Sequence, residues 1–170
     1  MFLSPKILIE GYNKGLFPMA DSQNDPFVYW VDPIERGIIN LNEFKISRSL
    51  KKELKKMNFQ IKINENFEKI IKLCAKNAKR QTTWINNQIV ENYIKLFQIG
   101  KAKSVECFEN NNLIGGLYGI IVGEIFCGES MFSLKNNSSK ILMVYLAAHL
   151  KEGGFRYIDT QFYSEHLRQF

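Results

Sequence analysis

The feature that most constrains the fold is a block of three strand-like runs between residues 103 and 133. The runs read KSVECFE, LIGGLYGIIV and EIFCGESMF, and turn residues separate them at Asn110–Asn112 and at Gly123. Short turns of this kind join antiparallel neighbours. The block therefore predicts a three-stranded antiparallel meander.

Helical and strand-like patterns surround the meander. Three helices have a recognisable N-terminal cap, and apolar residues at helical spacing indicate two more. The capped helices begin at Ser4–Pro5, at Ser47, and at Ser138 or Ser139, and the other two begin at Phe67 and span Gln88–Ile99. Further strand-like runs are Val28–Trp30, Gly37–Leu41, Phe59–Ile63 and the C-terminal FRYIDTQF. This mixture predicts an α+β fold, with a small, loop-rich N-terminal subdomain at residues 1–44 and a main domain at 45–170.

Composition narrows the classes of protein that need to be considered. The net charge of +6 favours an acidic partner such as RNA. The three cysteines are too widely spaced for a disulfide framework or a zinc site, and they indicate a reducing compartment. No apolar stretch reaches the ~18 residues of a membrane span, and no signal peptide is recognisable, so a cytoplasmic protein is expected.

Three polar residues in strand-like runs are candidates for chemistry. Glu129 lies in an apolar run, and Asp159 and Gln161 alternate onto the same face of the last strand. The pattern also fits an ordinary bend carboxylate and a solvated sheet face. In the same way, the basic helix at Arg48–Lys56 fits either RNA binding or a solvated helix face. With only two histidines and no phosphate-binding glycine loop, a histidine-ligated metal site or a Ser-His-Asp triad is poorly supported.

Several motifs together carry a resemblance to a known family. YNKGLFPMA, YWVDPIERGIINL, TWIN, GGLYGIIVGEIFCGESMFS and IDTQF occur in this order over nearly the whole chain. The sequence resembles the leucyl/phenylalanyl-tRNA–protein transferases. The resemblance implies an acetyltransferase-like (GNAT) mixed sheet behind a small N-terminal α/β subdomain. It also implies an enzyme that moves Leu, Phe or Met from aminoacyl-tRNA to proteins with N-terminal Arg or Lys, which then enter N-degron degradation.

The resemblance also implies roles for individual residues. No metal or organic cofactor is expected, because the aminoacyl ester of tRNA is already activated. Asp159, Gln161 and Glu129 match the polar active-site positions, with Gln161 orienting the attacking amine and Asp159 supplying negative charge. Tyr12 matches a tyrosine that holds the terminal adenosine of tRNA. The apolar pocket for the transferred side chain corresponds to Trp84, Leu117, Phe126, Met143 and Ile158. The basic helix would contact tRNA phosphates through Arg48, Lys51, Lys52, Lys55 and Lys56.

Two departures from the family pattern lead to further expectations. Met19 stands where some members have tryptophan, and the chain ends before the family's closing C-terminal strand. The sheet edge beside IDTQF would then be unpaired, and a truncated, inactive homologue that binds tRNA without transferring is the alternative. An acyl-CoA N-acetyltransferase is disfavoured, because SLKNNSSK stands where a pyrophosphate-binding loop would be needed.

Overall fold

A six-stranded mixed sheet forms the centre of the fold, with helices on both of its faces. The computed structural model describes residues 2–55, 58–76 and 82–170. The elements are α1 (Pro5–Asn13), β1 (Phe17–Met19), β2 (Tyr29–Val31), β3 (Arg36–Asn40), a 3₁₀ turn (Leu41–Glu43), α2 (Arg48–Leu54), β4 (Phe59–Ile63), α3 (Phe67–Ala75), α4 (Asn87–Gln98), β5 (Ala102–Glu109), β6 (Asn112–Val122), β7 (Ile125–Ser133), α5 (Ser138–Glu152), β8 (Tyr157–Phe162) and α6 (Glu165–Arg168). The predicted α+β class is confirmed.

Strand order in the main sheet is β3-β8-β7-β6-β5-β4, and β1 and β2 form a separate two-stranded sheet. The pairs β4–β5, β5–β6, β6–β7 and β3–β8 are antiparallel, so the predicted meander of β5, β6 and β7 is confirmed. Asn110 and Asn111 have positive φ in the first turn, and Gly123 has φ +56° in the second. Such backbone angles suit tight hairpin turns.

The one parallel pair in the described sheet is β7–β8, and it is short. Its register joins three residues on each strand, ending at Cys127 opposite Asp159. Both strands continue beyond that point, β7 to Ser133 and β8 to Phe162. The helix α5 provides the crossover between them. The two strands therefore separate in the middle of the sheet and leave an opening between them.

Two hydrophobic clusters cover the two faces of the sheet. The first packs α1, α3 and α4 against residues such as Tyr118 and Cys127, and the second packs α5 against residues such as Leu117 and Phe126. Consecutive residues within β6, and likewise within β7, thus belong to opposite clusters, because side chains alternate between the two faces of a strand. All three cysteines are buried.

Two of the three predicted helix caps are confirmed. The Ser4 hydroxyl accepts the backbone N–H of Ile7 at 3.3 Å, and the Ser47 hydroxyl accepts that of Leu50 at 3.2 Å. The third cap prediction is wrong, because α5 begins at Ser138 and its N-cap is Asn137 with φ +65°. The Ser138 hydroxyl instead donates to the carbonyl of Lys135 at 2.8 Å.

The prediction that the edge beside IDTQF is unpaired is wrong. β3 pairs with β8 in antiparallel register from Arg36 opposite Phe162 to Asn40 opposite Tyr157. The strand that covers this edge comes from the N-terminal side of the predicted boundary at residue 44. The boundary itself, the separate N-terminal subdomain and the missing closing strand stay predictions.

Candidate active site

Glu129 is the extra residue of a β-bulge where β6 pairs with β7. Tyr118 lies opposite Ser130 and Gly119 lies opposite Gly128, so Glu129 has no partner on β6. The bulge lies immediately after the last paired residues of β7 and β8. Glu129 is therefore placed at the opening between these strands, and its side chain is buried with 7% exposure.

Three side chains from three different elements donate hydrogen bonds to the Glu129 carboxylate. The Tyr12 hydroxyl on α1 donates to Oε1 at 2.5 Å, and the Tyr93 hydroxyl on α4 donates to Oε2 at 3.1 Å. The Gln161 amide Nε2 on β8 donates to Oε1 at 2.9 Å. The hydroxyl oxygens of Tyr12 and Tyr93 also contact each other. We call Tyr12, Tyr93, Glu129 and Gln161 the carboxylate cluster.

Burial controls the protonation of this cluster. It raises the pKa of Glu129 to about 7, even though the hydrogen bonds from Tyr12, Gln161 and Tyr93 favour the charged form and act in the opposite direction. Burial also raises the pKa of Tyr12 and of Tyr93 well above the usual value, so both phenols stay neutral donors. Glu129 can consequently exchange a proton near neutral pH, which is what a general base or acid requires.

Asp159 is held by an arginine that lies far from it in sequence. The Arg36 Nε donates to Oδ1 at 3.1 Å and to Oδ2 at 3.0 Å, and its Nη2 donates to Oδ2 at 2.7 Å. Asp159 Oδ1 also accepts the backbone N–H of Gln161 at 2.8 Å. Asp159 is thus joined to the carboxylate cluster through the backbone of Gln161.

The local path of β8 is irregular at this point. Gly37 lies opposite Gln161 and Ile38 lies opposite Asp159, so Thr160 is an extra residue. Gln161 has φ +63°, a left-handed conformation that is uncommon for a residue other than glycine. The side chains of Asp159 and Gln161, on either side of Thr160, are both buried.

An apolar cavity of about 250 Å³ adjoins the carboxylate cluster. Four of the five predicted pocket residues line it, namely Leu117, Phe126, Met143 and Ile158. Glu129 and Met131 also belong to its wall. The cavity therefore reaches from α5 through the opening between β7 and β8 to the buried carboxylate.

The structure places the fifth predicted pocket residue elsewhere. Trp84 is not among the residues that line this cavity and packs against the first hydrophobic cluster, on the side of α1 and α4. Its backbone carbonyl accepts the N–H of Ala20 at 3.1 Å. Tyr12, predicted to hold an adenosine, is also on that side and is 5% exposed, with its hydroxyl directed at Glu129.

The predicted basic helix is α2, whose cationic side chains are exposed. Arg48 lies in its first turn. The three exposed lysines that follow, which we call the α2 lysines, are Lys51, Lys52 and Lys55. Lys56 lies outside the described residues. Because Leu50 packs into the second hydrophobic cluster, α2 is on the same side of the sheet as α5.

Sequence reasoning missed two residues of the site. Arg36 follows a proline-containing loop and Tyr93 belongs to an amphipathic helix, so neither has a local pattern that distinguishes it from a surface cation or a core aromatic. Both become recognisable only through contacts over more than 30 residues of sequence.

Residues 2–55, 58–76 and 82–170 contain no group of three or more His, Cys, Asp or Glu that could hold a metal ion. Within the same ranges, no helix has the length and apolar character needed to cross a bilayer.

A buried carboxylate that can exchange a proton, next to an apolar cavity in a mixed sheet, defines an α+β domain with an enzyme-like site. The family model described as "Leucyl/phenylalanyl-tRNA protein transferase" matches residues 38–170, and the model of the N-terminal domain of the same family matches residues 1–34. The chain belongs to the leucyl/phenylalanyl-tRNA–protein transferase family, and it is a transferase enzyme.

Individual relatives agree with this assignment. A leucyl/phenylalanyl-tRNA–protein transferase of Paramagnetospirillum magneticum is 44% identical over 99% of this chain and 81% of the relative. One from Maricaulis maris is 47% identical over 96% of this chain and 76% of the relative. Among solved structures, a conserved protein of unknown function from Bacteroides thetaiotaomicron has a TM-score of 0.60 at 12% identity, over 79% of this chain and 53% of that chain. That likeness concerns the fold alone.

Proposed function

We propose that the chain transfers Leu, Phe or Met from aminoacyl-tRNA to the N-terminal Arg or Lys of cytoplasmic proteins, which marks them for N-degron degradation. Membership of the family supports the reaction class. The observation that carries the proposal is the contact of Glu129 with Gln161 at the end of an apolar cavity. The short parallel pair, its α5 crossover and the opening beyond it support an acetyltransferase-like arrangement of the sheet.

In the proposed reaction, the α-amino nitrogen of the acceptor attacks the ester carbonyl of the aminoacyl-tRNA. A C–N bond forms, and the bond from the carbonyl carbon to the ribose oxygen breaks. Glu129 takes the proton that the attacking nitrogen loses and returns it to the leaving ribose oxygen. A carboxylate with a pKa of about 7 suits both steps, because an acceptor α-amino group titrates near ~8.

Gln161 and Asp159 have supporting roles in this proposal. An amide is too weak a base to remove a proton, so Gln161 orients the attacking nitrogen from its place beside the Glu129 carboxylate. Asp159 forms an ion pair with Arg36 and accepts the backbone N–H of Gln161, so its proposed role is to fix the position of Gln161. Glu129 is therefore the proposed proton acceptor of the three predicted catalytic residues.

The cavity accounts for the choice of transferred residue. Leu117, Phe126, Met143 and Ile158 form the apolar part of its wall, which suits the side chain of Leu, Phe or Met. Apolar pockets discriminate a methylene by ~1–3 kcal/mol, so all three residues are expected as substrates. Tyr12 is proposed to hold the terminal adenosine of the tRNA, and the α2 lysines and Arg48 are proposed to contact its phosphates.

A direct test is to incubate the protein with Leu-charged tRNA and a peptide that starts with Arg, and to weigh the peptide. A mass gain of one leucine residue on the Arg peptide, but not on a matched peptide that starts with Gly, supports the proposal. Glu129→Gln should lower the rate by about 100-fold or more, whereas Glu124→Gln, an exposed carboxylate before the same strand, should not. No mass gain by the parent protein with intact tRNA binding would instead favour the non-transferring alternative.

A further inference from the structure

We infer that Arg36 is a positioning residue, whose guanidinium holds Asp159 in the orientation that fixes the Gln161 backbone and directs the Gln161 amide at Glu129. The inference rests on the proposed transfer reaction for its kinetic consequence. It concerns a residue of the YWVDPIERGIINL motif to which neither the sequence pattern nor the resemblance assigned a role.

The first step is the geometry of the ion pair. Two nitrogens of Arg36 bond the two oxygens of Asp159, at distances between 2.7 and 3.1 Å. Asp159 is 6% exposed, and Arg36 is its ion-pair partner. A lone buried carboxylate would be costly, and a guanidinium that bonds both oxygens also fixes the carboxylate plane.

The second step leads from Asp159 to Gln161. With its plane fixed by Arg36, Asp159 presents Oδ1 to the Gln161 N–H at 2.8 Å. Gln161 has φ +63°, and such a conformation of a non-glycine residue persists only where its surroundings enforce it. The side chain of Gln161 then reaches Glu129 at 2.9 Å. The contacts thus form a continuous series from Arg36 to the proposed proton acceptor.

The third step concerns what holds Arg36 itself. Its Nη1 donates to the carbonyl of Gly15, and its guanidinium carbon lies 5.6 Å from the centre of the Phe17 ring. Both partners belong to the segment between α1 and β2. Arg36 therefore links this N-terminal segment to the strand that carries Asp159. Since Arg36 is not among the residues that line the apolar cavity, its loss should change turnover rather than binding of the transferred residue.

The test uses Arg36→Ala, Arg36→Lys and Asp159→Asn in the full chain. Arg36→Ala should lower kcat by about 100-fold, the cost of a misplaced reacting group, with KM for charged tRNA changed less than threefold. Arg36→Lys should recover only part of kcat, because an ammonium cannot reproduce the two-oxygen contact. Added guanidinium ion, well below denaturing concentration, should restore part of kcat in Arg36→Ala and none in Asp159→Asn.

The double variant separates positioning from general stability. Arg36→Ala in the Asp159→Asn background should lower kcat by less than threefold further, because the contact is already lost. Additive losses, an unchanged kcat in folded Arg36→Ala, or no response to guanidinium would overturn the inference.

A structural measurement keeps the inference testable if the parent protein proves inactive. The Gln161 side-chain amide signal in a ¹⁵N-labelled sample should shift in Arg36→Ala and return towards its parent position when guanidinium is added. A signal that does not move overturns the inference by itself. Absence of transfer by the parent protein would refute only the proposed function.

Discussion

Replacing Glu129 with Gln should remove a pH dependence of the free energy of unfolding between about pH 4.5 and pH 7. The folded protein keeps a proton on Glu129 in this range, because burial raises the pKa of the carboxyl to about 7. The unfolded chain has already lost that proton, since its pKa is then near 4.5. The folded state is consequently favoured at the acidic end, and this stabilisation is lost as the pH rises through 7.

The size of the effect follows from the difference between the two pKa values. A rise from 4.5 to about 7, converted at 1.36 kcal/mol for each pKa unit, corresponds to about 3 kcal/mol of unfolding free energy. Glutamine keeps the shape of the side chain but has no proton to lose. Hydrogen bonds altered by the substitution shift stability at every pH alike, so the change with pH isolates the ionisation of Glu129.

Urea unfolding at pH 5 and pH 8 measures this difference. From pH 5 to pH 8, which spans most of this range, Glu129→Gln should gain about 2.5 kcal/mol relative to the parent protein. The matched control is Glu124→Gln, because Glu124 is an exposed carboxylate 3.6 Å from Arg156. The free energy of unfolding of this control should change with pH as that of the parent does. If the free energy of unfolding of Glu129→Gln changes between pH 5 and pH 8 as that of the parent does, burial does not raise the pKa of Glu129, and the reasoning fails.

The remaining predictions concern activity. Tyr93→Phe removes a donor 3.1 Å from the Glu129 carboxylate, so it should raise the pKa of Glu129 by about one unit and move the rise of kcat/KM with pH to more alkaline values. Met143→Ala enlarges the cavity and should shift kcat/KM towards Phe over Leu by ~1 kcal/mol, whereas Trp84→Ala should leave this ratio unchanged. Replacing the α2 lysines with Gln should weaken tRNA binding and lower its salt slope by about two, and Lys69→Gln on α3 is the control. An unchanged salt slope would show that α2 is an ordinary solvated helix that does not contact tRNA.

Much of the fold could be predicted because its elements have strong local patterns. β4 was predicted at Phe59–Ile63 and is found there, and α4 differs from its prediction by one residue at each end. β1 was missed, because three residues with a central proline carry no periodicity and pair only with β2. The α5 cap was misassigned, because asparagine and serine are about equally good caps and the left-handed backbone of Asn137 is not visible in the sequence.

The site was less predictable because it depends on irregular strands and distant contacts. Alternation indicated a shared face for Asp159 and Gln161, whereas the structure has an extra residue, Thr160, between them and a left-handed backbone at Gln161. Neither irregularity has a signature in a pattern of polar and apolar residues. Arg36 and Tyr93 reach the site only through pairings of distant elements, so they could not be found from local spacing.

The bulge at Glu129 explains how one strand supplies both parts of the site. Phe126 and Met131 are five positions apart, so strict alternation would put them on opposite faces of β7. Both nevertheless line the apolar cavity, because the extra residue at Glu129 reverses the alternation between them. The same bulge lies where β7 leaves β8, so the carboxylate contacts Tyr12 and Tyr93 on one side of the sheet and belongs to the cavity wall on the other. If the side chain of the proposed aminoacyl ester fills the cavity, its carbonyl would therefore lie at the opening between the strands. The proposed base, Glu129, would be within reach there, whereas a regular strand would have kept it on one face.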